Sequence, residues 1–324
     1  MLHSPKHRCF VVMKVFVLAA LGTIRAEDNI ITRPTFENHR AGAILSLEHA
    51  NLNVPSWTSE LENFWVTALG AVSDPRSAAV FKRTKDNNGT LEGLNWINIG
   101  LQQFHMPFEA PTQSIPGYVG LTFPDLDDLQ VRLSGAGVQW VKHSKARDQE
   151  IGGYDRDRPW SEDFLSVQSP TGVNLRLHES SPTRSNPMAW YGPSLHLLPT
   201  NRELALPGGQ SMGSGIVYLA FRARIGTAGT ICEFYEAALD AQTSLRDHVC
   251  EVFIGMEQAL LFFESEIETT YDGHHIAIYV NAFSDLYTRA KTLNLVWDNP
   301  RYPQFTYPTL VIGGDNDRPP PPFL

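Results

Sequence analysis

Residues 64–71 read FWVTALGA and residues 234–241 read FYEAALDA. Aromatic and alanine positions recur in both at helical spacing, so each stretch predicts part of an amphipathic helix. The likeness continues outward. Upstream lie two strand-like runs, ILSLEHANLNV from Ile44 and IVYLAFRARI from Ile216, each leading through a short linker into its helix, with helix starts expected near Thr58 and Thr227. Downstream, IGLQQFHMPFE at 99–109 matches IGMEQALLFFE at 254–264, with Gly100/Gly255, Gln103/Gln258, Phe108/Phe263 and Glu109/Glu264 in register.

A third block repeats as well. PGYVGLTFPDLDDLQVRL from Pro116 aligns with DGHHIAIYVNAFSDLYTRA from Asp272, given one inserted residue. Both read as a strand followed by a helix, and the acidic and serine residues at 125–128 and 283–285 suit the free N–H groups of a helix start. The chain therefore divides into two sister domains, 41–180 and 213–312, by an internal repeat too long for a solenoid. The linker 181–212 carries five prolines and a Gly-Gly. Residues 313–324 form a proline-rich tail, and residues 1–40 a signal-like or disordered N-terminal segment.

At 324 residues and 42% hydrophobic content the chain can bury one large core or two ordinary ones. A formal charge of −9 and no basic stripe interleaved with aromatics argue against a nucleic-acid partner. With no P-loop, GxGxxG or GxSxG pattern, no nucleotide cofactor is expected. Three cysteines without a CxxC pair exclude a zinc ribbon. Cys232 and Cys250 read as small buried apolar groups of a helix and a neighbouring strand, with a bridge between them as the alternative. The apolar run from Cys9 to Leu21, interrupted by Lys14, is too short to span a membrane and resembles a secretion signal, leaving secreted and cytoplasmic locations equally open. The Asn88-Gly89-Thr90 sequon does not decide between them.

The strand LEHANLNV followed by FW...ALG, the strand HHIAIYV, and SPTGVNLRLHE at 169–179 together resemble the modules of the vicinal oxygen chelate superfamily, which includes glyoxalases and extradiol dioxygenases. The resemblance covers about residues 41 to 300. It implies an α+β fold of paired βαβββ units forming two cupped mixed sheets. The second domain is expected to be truncated at its C-terminal strand, because only 27 residues follow Trp297 and seven of them are proline. It also implies a divalent metal, Fe, Zn, Mn or Ni, held on a concave face by His, Glu or Gln side chains.

His49 matches the first-strand ligand of that family. Gln103 and His105 share one strand face because strand side chains alternate, so either could meet His49. His275 stands at the second module's ligand position, and Glu264, at the end of an apolar strand, is a further candidate. His275 is expected to open a strand of the second cup near Gln258 or Glu264, without a full ligand set. Two positions depart from the family: Phe221 aligns with His49, and Arg176 occupies the last-strand place of a ligand Glu. The resulting expectation is a metal-dependent lyase, isomerase or dioxygenase acting on a small organic substrate. The alternative is a metal-free small-molecule-binding protein of the same fold.

Overall fold

The computed structural model describes the backbone of residues 11–15, 43–75, 77, 93–100, 102–143, 160–180, 211–255, 258–267, 269–280, 283–298 and 308–312. The sequon at Asn88, most of the linker and the tail lie outside these residues. After strand β1 (Val11–Val15), the chain forms three βαβββ units and a fourth that reads βαββ among the described residues. The first comprises β2 (Ile44–Asn51), helix α1 (Ser59–Glu62) continuing as a π-helical segment (Asn63–Ala68), β3 (Val72–Ser73), β4 (Leu94–Ile99) and β5 (Gln102–Pro107). The second comprises β6 (Gly117–Phe123), α2 (Leu126–Gly135), β7 (Val141–His143), β8 (Trp160–Gln168) and β9 (Asn174–Ser180). The third comprises β10 (Gly215–Arg224), α3 (Ala228–Leu239), β11 (Thr243–Arg246), β12 (Val249–Ile254) and β13 (Gln258–Ser265). The fourth comprises β14 (His275–Val280), α4 (Phe283–Thr292), β15 (Val296–Asp298) and β16 (Pro308–Ile312).

Two eight-stranded mixed sheets result, ordered β15-β16-β1-β14-β2-β5-β4-β3 and β11-β12-β13-β10-β6-β9-β8-β7. This is an α+β architecture built of repeated β-α-β units on two mixed sheets. One arrangement differs from the sequence expectation. Sheet 1 joins the first unit to the fourth and sheet 2 joins the second to the third, so neither chain half closes a sheet of its own. First strands pair antiparallel across the middle of each sheet, β14 with β2 and β10 with β6. That pairing is non-local and leaves no trace in the local periodicity of either half.

Helix starts fall where the residues predict. Thr58 accepts the Leu61 N–H at 3.2 Å, and Asp125 accepts from Asp127 and Asp128 at 2.8 and 3.0 Å. The helices cover one face of each sheet. Trp65 packs on Phe104 with ring centroids 4.8 Å apart, and Tyr235 on Phe262 at 5.4 Å. Alternate strand residues, among them Ala50, Phe104, Ile276, Leu121, Leu177 and Leu219, point into this helix-covered core. The opposite faces of the two sheets are the inner faces.

Gly100 and Gly255 both occupy the turn between the third and fourth strands of their units, at φ +59° and +55°. A Cβ at Gly100 would lie 2.0 Å from the Ser214 carbonyl oxygen, and one at Gly255 would lie 2.3 Å from that of Leu45. The repeated glycine is thus required by close approach of the two sheets. Beyond the glycine the sequence register shifts by one. The turn joins Ile99 to Gln102 in one unit and Ile254 to Gln258 in the other, one residue longer, so Gln102 rather than Gln103 is the counterpart of Gln258. The two buried amides act alike: Gln102 accepts the Ile216 N–H at 3.2 Å, and Gln258 accepts the Leu47 N–H at 3.0 Å.

Cys232 and Cys250 form a disulfide between α3 and β12, with Cα atoms 5.6 Å apart, which corrects the reading of them as free apolar groups. Helix α3 packs its buried Cys232 face onto β12, bringing the two thiols within bridging reach. Within residues 1–40, Val11–Val15 is a strand of sheet 1, parallel to β14 and antiparallel to β16. Among the described residues, no helix is long and apolar enough to cross a membrane.

Candidate metal centre

The inner face of sheet 1 gathers His49, Gln103, His105 and His275. Register explains how. His49 pairs with Gln103 and with Ala277, while Asn51 pairs with His105 and with His275. The intervening row, Ala50 with Phe104 and Ile276, faces the core, so both histidine rows face the other way. The His49 and His105 rings stack with centroids 3.6 Å apart and planes inclined by 16°. The ring of His275 stands edge-on to His49 at 6.2 Å. His49 and His275 are 2% and 3% exposed, which keeps competing water from most of the imidazole surface.

Glu48 joins them although strand parity assigns it to the other face. The β14–β2 ladder shifts register between His49 and Leu47, leaving Glu48 as a bulge residue with no counterpart on β14. A bulge lets two consecutive side chains reach one face. The Glu48 carboxylate accepts from Nδ1 of His49. No periodicity argument finds Glu48, because its place follows from the pairing of β2 and not from β2 alone.

Neighbouring amides fix His105. Its Nε2 lies 3.0 Å from Oε1 of Gln103, whose own Nε2 donates to Oδ1 of Asn98 at 2.5 Å. Trp96 stands edge-on to His105 at 6.0 Å.

Ligand atoms of Glu48, His49 and His105 all lie within 4.8 Å of one another. Two ligands on one metal at about 2.1 Å each stand at most about 4.2 Å apart. Side-chain rotation of less than an ångström or so therefore brings the set to coordination distance. Two imidazoles and a carboxylate suit Fe, Zn, Mn or Ni and leave positions open for a substrate. The residues present fit a divalent metal.

Two expectations are corrected. His275 lies in the same sheet as His49, not in a separate second cup, because β14 pairs with β2. Its expected neighbours Gln258 and Glu264 belong to sheet 2. Gln258 joins the sheets as described, donating from Nε2 to the Ile216 carbonyl. Glu264 accepts the Ala228 N–H at 2.9 Å, at the start of α3. Backbone N–H groups of Gly226 and Ala228 hold its carboxyl below the usual range. Its carboxylate serves the helix start, where the Thr227 hydroxyl donates back to the Arg224 carbonyl at 2.6 Å and caps no helix N–H.

Phe221 also proves not to be the spatial counterpart of His49. It points into the core and stacks on Phe262 at 5.3 Å, because β10 shares with β2 the early register shift, between Ile216 and Tyr218 as between Ile44 and Ser46, but lacks the second one that β2 makes at Glu48. Arg176 does face the inner side of sheet 2, with its guanidinium 3.9 Å from the Tyr118 ring and 4.7 Å from that of Phe164. His178, on the same face, bonds the Tyr218 hydroxyl at 2.9 Å.

No family model matches the chain, and no curated protein matches it. Among solved structures, a putative dioxygenase from Bacillus subtilis is 11% identical at a TM-score of 0.48, covering 78% of this chain and 76% of that one. Glyoxalase I from Zea mays is 12% identical at 0.47, covering 77% and 78%. A putative glyoxalase family protein from Bacillus anthracis is 17% identical at 0.31, covering 43% of this chain and 97% of that one.

Proposed function

We propose that the protein is a metal-dependent enzyme of glyoxalase type, a lyase, isomerase or dioxygenase acting on a small organic substrate at the inner face of sheet 1. The observation that carries this is the convergence of Glu48, His49 and His105, with ligand atoms within 4.8 Å, beside the buried His275. A bound metal would act as a Lewis acid for two neighbouring oxygens of the substrate. Gln103 positions the ring of His105. His275 stands edge-on to His49, where it can hold or deliver a proton to the substrate. Asn98 and Trp96 border the same face and can orient a polar ligand.

The test is metal analysis of the purified chain after repletion with Fe, Zn, Mn or Ni, set against His49→Ala. About one metal per chain, lost in the variant, is expected. Less than about 0.1 per chain in the unmodified protein would favour the metal-free binding protein.

A further inference from the structure

We propose that Val11–Val15 is the last strand of the fourth unit, carried at the N-terminal side of the chain, and that the slot between β14 and β16 is a groove built to take that strand. In the other three units the last strand lies parallel to the first strand and antiparallel to the third: β5 beside β2 and β4, β9 beside β6 and β8, β13 beside β10 and β12. In the fourth unit the third strand is β16, and the position beside it is held by β1, parallel to β14 and antiparallel to β16. Orientation and neighbours are the same in all four.

The residue pattern agrees with the slot. Met13 pairs with Ile276, in the core row of Ala50 and Phe104, and Val15 pairs with Ile278, in the core row of Leu47. Val12 pairs with His275, and Lys14 pairs with Ala277 in the row that continues through His49 to Gln103. Lys14, the charge that interrupts an otherwise apolar run, thus falls at a register position of the polar face. A secretion signal has no use for a charge there, whereas a strand lying between a core and a polar face does. Removal as a leader and service as β1 are mutually exclusive fates for these residues. β1 also forms the wall beside His275, so the proposed metal centre, if that reading holds, depends on the strand.

The test keeps the full chain. A protease site replacing residues 26–31 allows the folded protein to be nicked, and native size exclusion with mass spectrometry then shows whether the N-terminal fragment stays. Retention until denaturant is added is expected, and release on nicking alone would overturn the proposal. In parallel, Met13→Pro removes a ladder N–H from an interior strand. Amide exchange of His275–Ile278 and of β16 should accelerate at least about tenfold in it. Unchanged exchange would equally overturn the proposal, and the nicked protein decides the matter if the proline variant does not fold. Exchange and retention are read without metal. A docked strand in a protein that takes up no metal would therefore sink the metal reading alone.

Discussion

On the inner face of sheet 1, His49 and His105 stack beside Glu48, Gln103 and His275; on the inner face of sheet 2 the matching strands carry Tyr118, Arg176, His178, Tyr218 and Phe263. The strand order is the same in both. In sheet 2, Gly120 stands across from Arg176 as His49 stands across from Gln103. A Cβ at Gly120 would lie 2.3 Å from the Tyr218 ring, so an aromatic side chain fills the space a first-strand ligand would need. Val217, Ala220, Leu261 and Phe263 pack around it as a separate apolar cluster. The architecture offers equivalent positions twice, and side chains alone make one of them a candidate metal centre.

Six substitutions probe that contrast. The largest effect is expected from His49→Ala, which should abolish metal uptake measured by titration, while His178→Ala on the other sheet leaves it unchanged. Loss of uptake in His178→Ala would move the site to sheet 2. Next comes Gly255→Ala, which sets a methyl against the Leu45 carbonyl at positive φ and should cost about 3 kcal/mol in chemical denaturation. Gly172→Ala, also at positive φ but with no atom within 4 Å of its Cβ, should cost only about 1 kcal/mol. Equal costs would show that close sheet contact is not what the repeated glycine serves.

Tyr218→Phe takes the hydroxyl from buried His178 and should destabilise by about 1–2 kcal/mol without altering metal affinity. A changed affinity would mean that the two inner faces are coupled. The smallest effect belongs to Glu264→Gln. The carboxyl of Glu264 is depressed by the α3 backbone, so its contribution to stability is present above the ordinary carboxylate pKa of about 4.3 and is lost as pH falls through the lower folded value. Unfolding free energy from urea denaturation at neutral pH should drop by less than about 1 kcal/mol for this partly exposed group. The difference from the unmodified protein should vanish near pH 2. A difference that persists there would point to packing rather than charge.

The sequence by itself determined the four units, the helix starts at Thr58 and Asp125, the glycine at equivalent turns, and the shared face of Gln103 and His105. Each of these rests on local chemistry: a cap oxygen, a positive φ, or the two-residue period of a strand. Only the tertiary structure decided that the fourth unit lies beside the first, which brings His275 to His49, that Val11–Val15 lies between β14 and β16, and that Cys232 meets Cys250. It alone turned Glu48 inward and Phe221 toward the core, because one bulge residue reverses the facing of everything beyond it. Strand pairing and bulge position are set by partners hundreds of residues away along the chain, and no periodicity within a strand records them.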